Sequence, residues 1–279
     1  RSSRRNGSFG WTGVRCWDRP DRGLSPPVIF DRYRSTMLGL ITGSGLYDIP
    51  GLEESRTEEV PTPYGSVHLT LGTWNGCPVA FIPRHGASHR IPPHRINYRA
   101  NMRALDDAGA GAVLATAVCG GINPRYGVGE MVLIDQFIDM TYGRETTFFD
   151  DEVRHTDMSD PYDGDLRRLL MEVADTEGLE VVDGGTYVCA NGPRFETAAE
   201  IRMYAGFGGD LVGMTGYPEV ALARELDLPY AAIGVVSNPA AGLGDEELSL
   251  EDIWGVLEDA STPLHLLLGG AARRLADRW

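Results

Sequence analysis

The run Met37-Leu38-Gly39-Leu40-Ile41-Thr42-Gly43-Ser44-Gly45 is apolar as far as Ile41 and then turns on glycine. A short apolar run that ends in a turn signal reads as a strand buried on both faces. The same pattern recurs outward from it. Val79-Ala80-Phe81-Ile82 leads into Arg84-His85-Gly86, Ala112-Val113-Leu114-Ala115 into Cys119-Gly120-Gly121, and Ala231 to Val236 into Ser237-Asn238-Pro239. Met131-Val132-Leu133-Ile134 is a further buried strand. Helical stripes lie between these runs. Tyr98, Met102 and Leu105 are closed by Gly109; Leu166, Leu169, Leu170 and Val173 are closed by Gly178. Ser249 with Asp252 resembles a capping box and opens a last helix that carries Leu250, Ile253, Trp254 and Leu257 on one face. Strands alternating with helices predict a single α/β domain wound around one sheet. Polar turns at several strand ends place a ligand site along one sheet edge.

Composition narrows the function classes. The chain has 279 residues, 42% of them hydrophobic, enough for a substantial core. Its net charge is −15, and residues 1–36 hold eight Arg against three Asp, so the remainder is more acidic still. Such a body repels nucleic acid. No run is long and apolar enough to suggest a transmembrane helix, and no membrane partner is expected. Cys16, Cys77, Cys119 and Cys189 form no C-x-x-C pair, which argues against a disulfide framework or zinc site and for a cytoplasmic location. Residues 1–36 are rich in Arg, Gly, Ser and Pro without a period; they are expected to be a disordered or non-native leader before a domain at 37–279.

Five stretches carry chemistry. Gly43-Ser44-Gly45 can cup an anion with amides and a hydroxyl. It lacks the third glycine of the dinucleotide fingerprint and the lysine of a P-loop. Arg84-His85 offers a rigid fork and a second donor for phosphate, or a surface ion pair. Thr215, in Gly213-Met214-Thr215-Gly216, adds a hydroxyl. In Asn191-Gly192-Pro193-Arg194-Phe195-Glu196-Thr197, Phe195 can stack on a flat base and Glu196 can accept from a ring N–H; alternatively Phe195 enters the core and Glu196 the first helical turn. Asn238 presents a donor and an acceptor together, suited to a purine edge or to capping the turn before Pro239.

From about Leu38 to Leu268 the chain resembles the trimeric nucleoside phosphorylases, which include purine nucleoside and methylthioadenosine phosphorylases. The segments that carry the resemblance are Ile41-Thr42-Gly43-Ser44-Gly45-Leu46, Thr62-Pro63-Tyr64-Gly65, Arg84-His85-Gly86 and Asn97-Tyr98-Arg99-Ala100-Asn101. Further along are Asp135-Gln136-Phe137-Ile138-Asp139, Gly192 to Thr197, and Gly213-Met214-Thr215-Gly216-Tyr217-Pro218-Glu219. The resemblance implies a mixed, twisted, partly barrel-like sheet flanked by helices. It implies phosphate held by Ser44, Arg84, His85 and Thr215, with the backbone near Ala117 and Val118. Ala117 departs from the Thr or Asn common in relatives. Met214 would lie against the ribose, Phe195, Glu196 and Asn238 would hold the base, and Cys119 and Gly120 would border it. His155 would reach a neighbour's site in a homotrimer or dimer of trimers. Inorganic phosphate is a co-substrate, and no cofactor or metal is implied.

Glu196 paired with Asn238, and Ala240 where methylthioadenosine phosphorylases carry Asp, resemble relatives that act on 6-oxopurines. A 6-oxopurine has an N1–H for a carboxylate to accept, whereas adenine N1 is itself an acceptor. Ile253 stands where ordinary purine nucleoside phosphorylases place a His for the 5′-hydroxyl, and the base-site residues are closest to those of methylthioinosine phosphorylases. The expected reaction is phosphorolysis of 5′-methylthioinosine to free base and 5-methylthioribose 1-phosphate, with Asn238, His85 and Arg84 as the catalytic set. Inosine or guanosine, methylthioadenosine, and hydrolysis in place of phosphorolysis are the alternatives.

Overall fold

The computed structural model describes residues 36–244 and 250–277. Residues 1–35 of the leader expected at 1–36, and the Ser249 half of the expected capping box, lie outside the described residues. The chain runs β1 (Met37–Thr42), a hairpin of β2 (Glu53–Thr62) and β3 (Gly65–Trp74), β4 (Cys77–Pro83), α1 (Tyr98–Asp107), β5 (Ala110–Gly121), β6 (Met131–Leu133), β7 (Gln136–Met140) and α2 (Gly164–Glu177). It continues through β8 (Val181–Asp183), β9 (Thr186–Ala190), α3 (Ala198–Gly206), β10 (Leu211–Gly213), α4 (Gly216–Glu225), β11 (Tyr230–Pro239) and α5 (Leu250–Ala276). All belong to one α/β domain with one mixed sheet.

The apolar runs form strands because side chains alternate faces and both faces are covered. Leu38, Leu40, Val79, Phe81, Ala112 and Leu114 meet α2 and α5, through Leu166, Leu170, Leu264 and Leu268 among others. Ile41, Ala80, Ile82, Val113 and Ala115 point the other way, onto Met102 and Leu105 of α1 and Val220 and Leu222 of α4. β1 lies between β4 and β5, parallel to both, so Thr42, Pro83 and Ala115 approach the same edge.

β5 organises the rest. It pairs in parallel with β11 over Val113–Gly121 and antiparallel with β10 at Gly120 and Gly121. From this fork one arm runs through β10, β9 and β7, the other through β11, β6 and β8. Val132 and Ile134 of one arm share a buried cluster with Tyr187, Cys189 and Leu211 of the other, so the arms wrap a common core. This is the barrel-like part. The β2–β3 hairpin turns at Pro63-Tyr64 and leaves β2 an exposed edge; its mostly polar residues had shown no apolar run to read as a strand.

Candidate active site

The strand ends of β1, β4, β5, β9, β10 and β11 surround a cavity of about 500 Å³, within the range usual for small-ligand sites. Its wall includes Ser44, His85, Val118, Cys119, Gly120, Phe195, Glu196, Met214, Thr215, Asn238 and Ile253. These residues are scattered over more than 200 positions and meet only through the fold.

The anion side is built from three turns. Thr42 Oγ1 donates to the Leu46 carbonyl, and the Gly43 amide donates to Thr116 Oγ1 at 3.3 Å, which fixes the Ser44 turn. Gly45, at φ 85°, supplies the left-handed step that turn requires. Thr215 is the N-cap of α4, yet its hydroxyl makes no cap hydrogen bond. The amides of Thr215 and Gly216 point instead to the buried Tyr187 hydroxyl, at 3.2 and 3.4 Å. Any side chain at Gly213 or Gly216 would collide with the Tyr187 ring. Pro218, at the third helical position, has no N–H to offer a cap, and the Thr215 hydroxyl lines the cavity without a cap bond while the two amides beside it are taken.

His85 is buried, and its Nδ1 lies 2.8 Å from the Ile91 carbonyl. A carbonyl only accepts, so Nδ1 carries the proton. Burial is the main cause holding its pKa down at about 4, and the neighbouring Arg84 adds to it. At neutral pH the ring is uncharged and Nε2 is an acceptor.

Arg84 departs from the expectation. Its guanidinium does not line the cavity: it is 2% exposed and bound on both forks. Nε and Nη2 donate to Glu219 at 3.0 and 2.7 Å, and Nη1 donates to the Thr116 carbonyl at 2.6 Å. Tyr230 donates to the same carboxylate at 2.7 Å. The ion pair weighed for Arg84 exists, but in the core, where Glu219 outweighs the burial penalty and raises the arginine pKa. Arg84 Nη1 sits directly behind Gly43, so it backs the anion turn without touching its contents. The pattern missed this because nothing in the local run revealed Glu219, 135 residues away, as its partner. Ala117 also stands behind the wall, at a small neighbouring cavity shared with Ser44 and Leu257. His155 is exposed and outside the cavity of its own chain.

The side expected to hold the base contains an unpaired acceptor. Glu196 Oε1 is buried with no hydrogen-bond partner, and burial raises the carboxyl pKa. Glu196 is not in the first helical turn: Thr197 is the N-cap of α3 and makes a reciprocal capping box with Glu200. That Thr-x-x-Glu spacing was legible in the sequence. Phe195 is 43% exposed at the cavity wall, so the alternative of a core ring falls. β11 bulges between Val236 and Asn238, a device that re-aims side chains. Ser237 Oγ donates to Asn238 Oδ1 at 2.6 Å, and Asn238 Nδ2 donates to the Pro239 carbonyl at 2.7 Å. The bond to Pro239 fits the turn-holding reading of Asn238, and the amide it orients also lines the cavity. One N–H and one lone pair remain for a ligand.

Residues the motifs had not singled out complete the wall. His89, Arg90, Ile91, Pro92 and Pro93 come from the loop after β4, and Trp254 and Leu257 from α5. His89 meets Tyr47 through Nδ1 at 2.9 Å and the Trp254 ring edge-on at 5.9 Å. Proximity to Arg84-His85 was the only available signal for His89; the helical stripe had placed Trp254 and Leu257 in packing alone.

The profile of the Phosphorylase superfamily matches residues 37–272. This chain belongs to the phosphorylase superfamily. Among curated members it is 44% identical over 239 residues to the 6-oxopurine nucleoside phosphorylase of Pyrococcus furiosus, covering 83% of this chain and 90% of that protein. It is 45% identical over 225 residues to a probable S-methyl-5′-thioinosine phosphorylase of Methanopyrus kandleri, covering 80% and 87%. Among solved structures of the superfamily, methylthioadenosine phosphorylase from Schistosoma mansoni in complex with adenine aligns with a TM-score of 0.83 at 31% identity, over 87% of this chain and 92% of that one.

Proposed function

We propose that the protein is a purine nucleoside phosphorylase that cleaves 6-oxopurine nucleosides with inorganic phosphate, with 5′-methylthioinosine preferred. The observation that carries the base assignment is the buried, partnerless Oε1 of Glu196 in the same cavity as the oriented amide of Asn238. A 6-oxopurine N1–H satisfies that oxygen. Adenine would leave two acceptors facing each other, at about 1–3 kcal/mol. The name of the Pyrococcus relative points the same way. For the 5′ end, Ile253, Leu257 and Ile91 give an apolar lining that suits a thiomethyl group.

In the reaction the C1′–N9 bond breaks early and the sugar gains oxocarbenium character. Phosphate beneath C1′ stabilises that charge and donates an oxygen to form the C1′–O bond. The pair of electrons from C1′–N9 leaves with the base, and Asn238 accepts from N7 as solvent delivers a proton there. Ser44 and Thr215 hydroxyls hold the anion. Neutral His85, its Nδ1–H held by the Ile91 carbonyl, accepts a hydrogen bond through Nε2 from a protonated phosphate oxygen and keeps its own charge state. Positioning and electrostatics supply the acceleration, with no covalent enzyme intermediate and no cofactor.

A second reading, inosine or guanosine, is favoured by His89, whose ring beside Trp254 could meet a 5′-hydroxyl. One experiment separates the alternatives: kcat/KM for methylthioinosine, inosine and methylthioadenosine, each with and without phosphate. Fastest turnover of methylthioinosine, with release of base dependent on phosphate, is the expected result. Preference for methylthioadenosine overturns the Glu196 argument, preference for inosine overturns the apolar 5′ pocket, and phosphate-independent release makes the enzyme a nucleosidase. We further propose a cytoplasmic enzyme that acts as a homotrimer or dimer of trimers, with His155 entering the neighbour's cavity. Support comes from His155 itself, which is exposed and stands outside the cavity of its own chain.

A further inference from the structure

Arg144 belongs to no motif and does not line the cavity, yet it joins the cavity's two halves. It lies on the loop after β7. Its Nη2 donates to the Asn191 carbonyl at 2.9 Å and to the Met214 carbonyl at 2.8 Å; its Nη1 donates to the Tyr217 carbonyl at 2.6 Å and to the Tyr98 hydroxyl at 3.2 Å. The guanidinium also stands over the Tyr98 ring, 5.3 Å from its centre. Among the described residues no carboxylate forms an ion pair with it, so backbone carbonyls surround its charge.

Those carbonyls belong to two segments that are not neighbours in the sequence. Asn191 begins the turn that delivers Phe195 and Glu196 to the base. Met214 is itself a cavity residue and precedes Thr215 on the anion side, and Tyr217 follows it. Asn191 and Met214 directly follow β9 and β10, and Tyr217 is a non-helical residue in the first turn of α4. A planar guanidinium can span both segments because its two terminal nitrogens fork; a lysine ammonium is a single point at the end of a flexible stem.

We propose that Arg144 is a positioning residue that fixes the base-recognition turn against the Met214–Thr215 turn, and so sets the separation between heterocycle and phosphate. Displacement needs both partners aligned on C1′, and a misplacement of about 1 Å can cost on the order of 100-fold in rate. The inference rests on the phosphorylase reading.

The test uses purified, folded Arg144→Met and Arg144→Lys with active sites titrated. Nucleoside and phosphate are varied independently. Both variants are expected to lose on the order of 100-fold in kcat per active site, with KM raised for nucleoside and for phosphate together. A residue that only stabilises the fold would lower the thermal midpoint and the yield while leaving kcat and both KM values at wild-type levels, and that result overturns the proposal. So does a rise confined to one substrate's KM with kcat unchanged. Arg144→Lys, which keeps the charge and most of the stem, decides the matter if Arg144→Met does not fold. Phosphate-independent release of base by the wild type would instead defeat the underlying reading, and it is scored before any variant is made.

Discussion

Glu196 is costly to the fold and useful to the site. Its carboxyl is buried without a partner at Oε1, and burial raises its pKa. The folded state thus holds its proton more tightly than the unfolded state, and its contribution to stability declines as pH rises through the raised value. Glu196→Gln removes that burden. The variant is expected to melt no lower than wild type at neutral pH, while kcat/KM on a 6-oxopurine nucleoside falls about 10- to 150-fold, the equivalent of about 1.5–3 kcal/mol for a hydrogen bond to a charged group. Calorimetry alongside steady-state kinetics checks both halves. His85 gives the opposite pH sign. Its pKa falls from 6.5 to about 4, so the unfolded chain takes up a proton that the folded chain refuses. Stability from this group is complete above about 6.5 and is lost as pH falls toward 4. His89 and His265 are lowered too and add to the slope. Denaturant titrations between pH 7 and 4 are expected to show a shallower decline for His85→Gln than for wild type; equal slopes would refute the assignment.

At the scale of elements, strand ends carry the chemistry and their neighbours aim it. The β10–α4 turn depends on Tyr187 of β9, whose hydroxyl accepts the Thr215 and Gly216 amides. Tyr187→Phe keeps the ring that Gly213 and Gly216 accommodate but orphans two buried donors. A loss of about 1–3 kcal/mol in urea unfolding is expected, with a higher KM for phosphate because Thr215 loses its anchor. An unchanged KM would mean that the turn holds itself. The β11 bulge has a similar role: without the extra residue at Ser237, Asn238 would fall on the opposite face of its strand. The Arg84–Glu219–Tyr230 cluster ties β4, α4 and β11 together behind the anion turn. Breaking a buried pair leaves an uncompensated charge, so Arg84 belongs as much to stability as to the site.

For the whole molecule, the open question is assembly. Light scattering is expected to return three or six times the chain mass. His155→Ala is expected to keep that mass while lowering kcat/KM for nucleoside several-fold, since the residue lies outside its own cavity. A monomer with full activity would sink the shared-site proposal. A single chain already gathers the cavity's lining, so a neighbour's His155 would add to the site rather than create it.

The sequence by itself determined the wound α/β architecture, because alternating side-chain faces write two-sided burial into runs such as Leu38–Ile41 and Ala112–Ala115. It also located the strand-end turns that bear Ser44, His85, Thr215, Glu196 and Asn238, since clusters of glycine and polar residues mark where apolar runs leave the core, whereas a lone Gly39 or Gly234 stays within its strand. The tertiary structure alone decided that Arg84 turns inward to Glu219, that the Thr215 and Gly216 amides meet Tyr187, and that Arg144 bridges two distant turns. Those outcomes are choices of hydrogen-bond partner between residues far apart in the chain. No local pattern encodes such a choice, because the competing donors and acceptors come within reach of one another only once the sheet has closed.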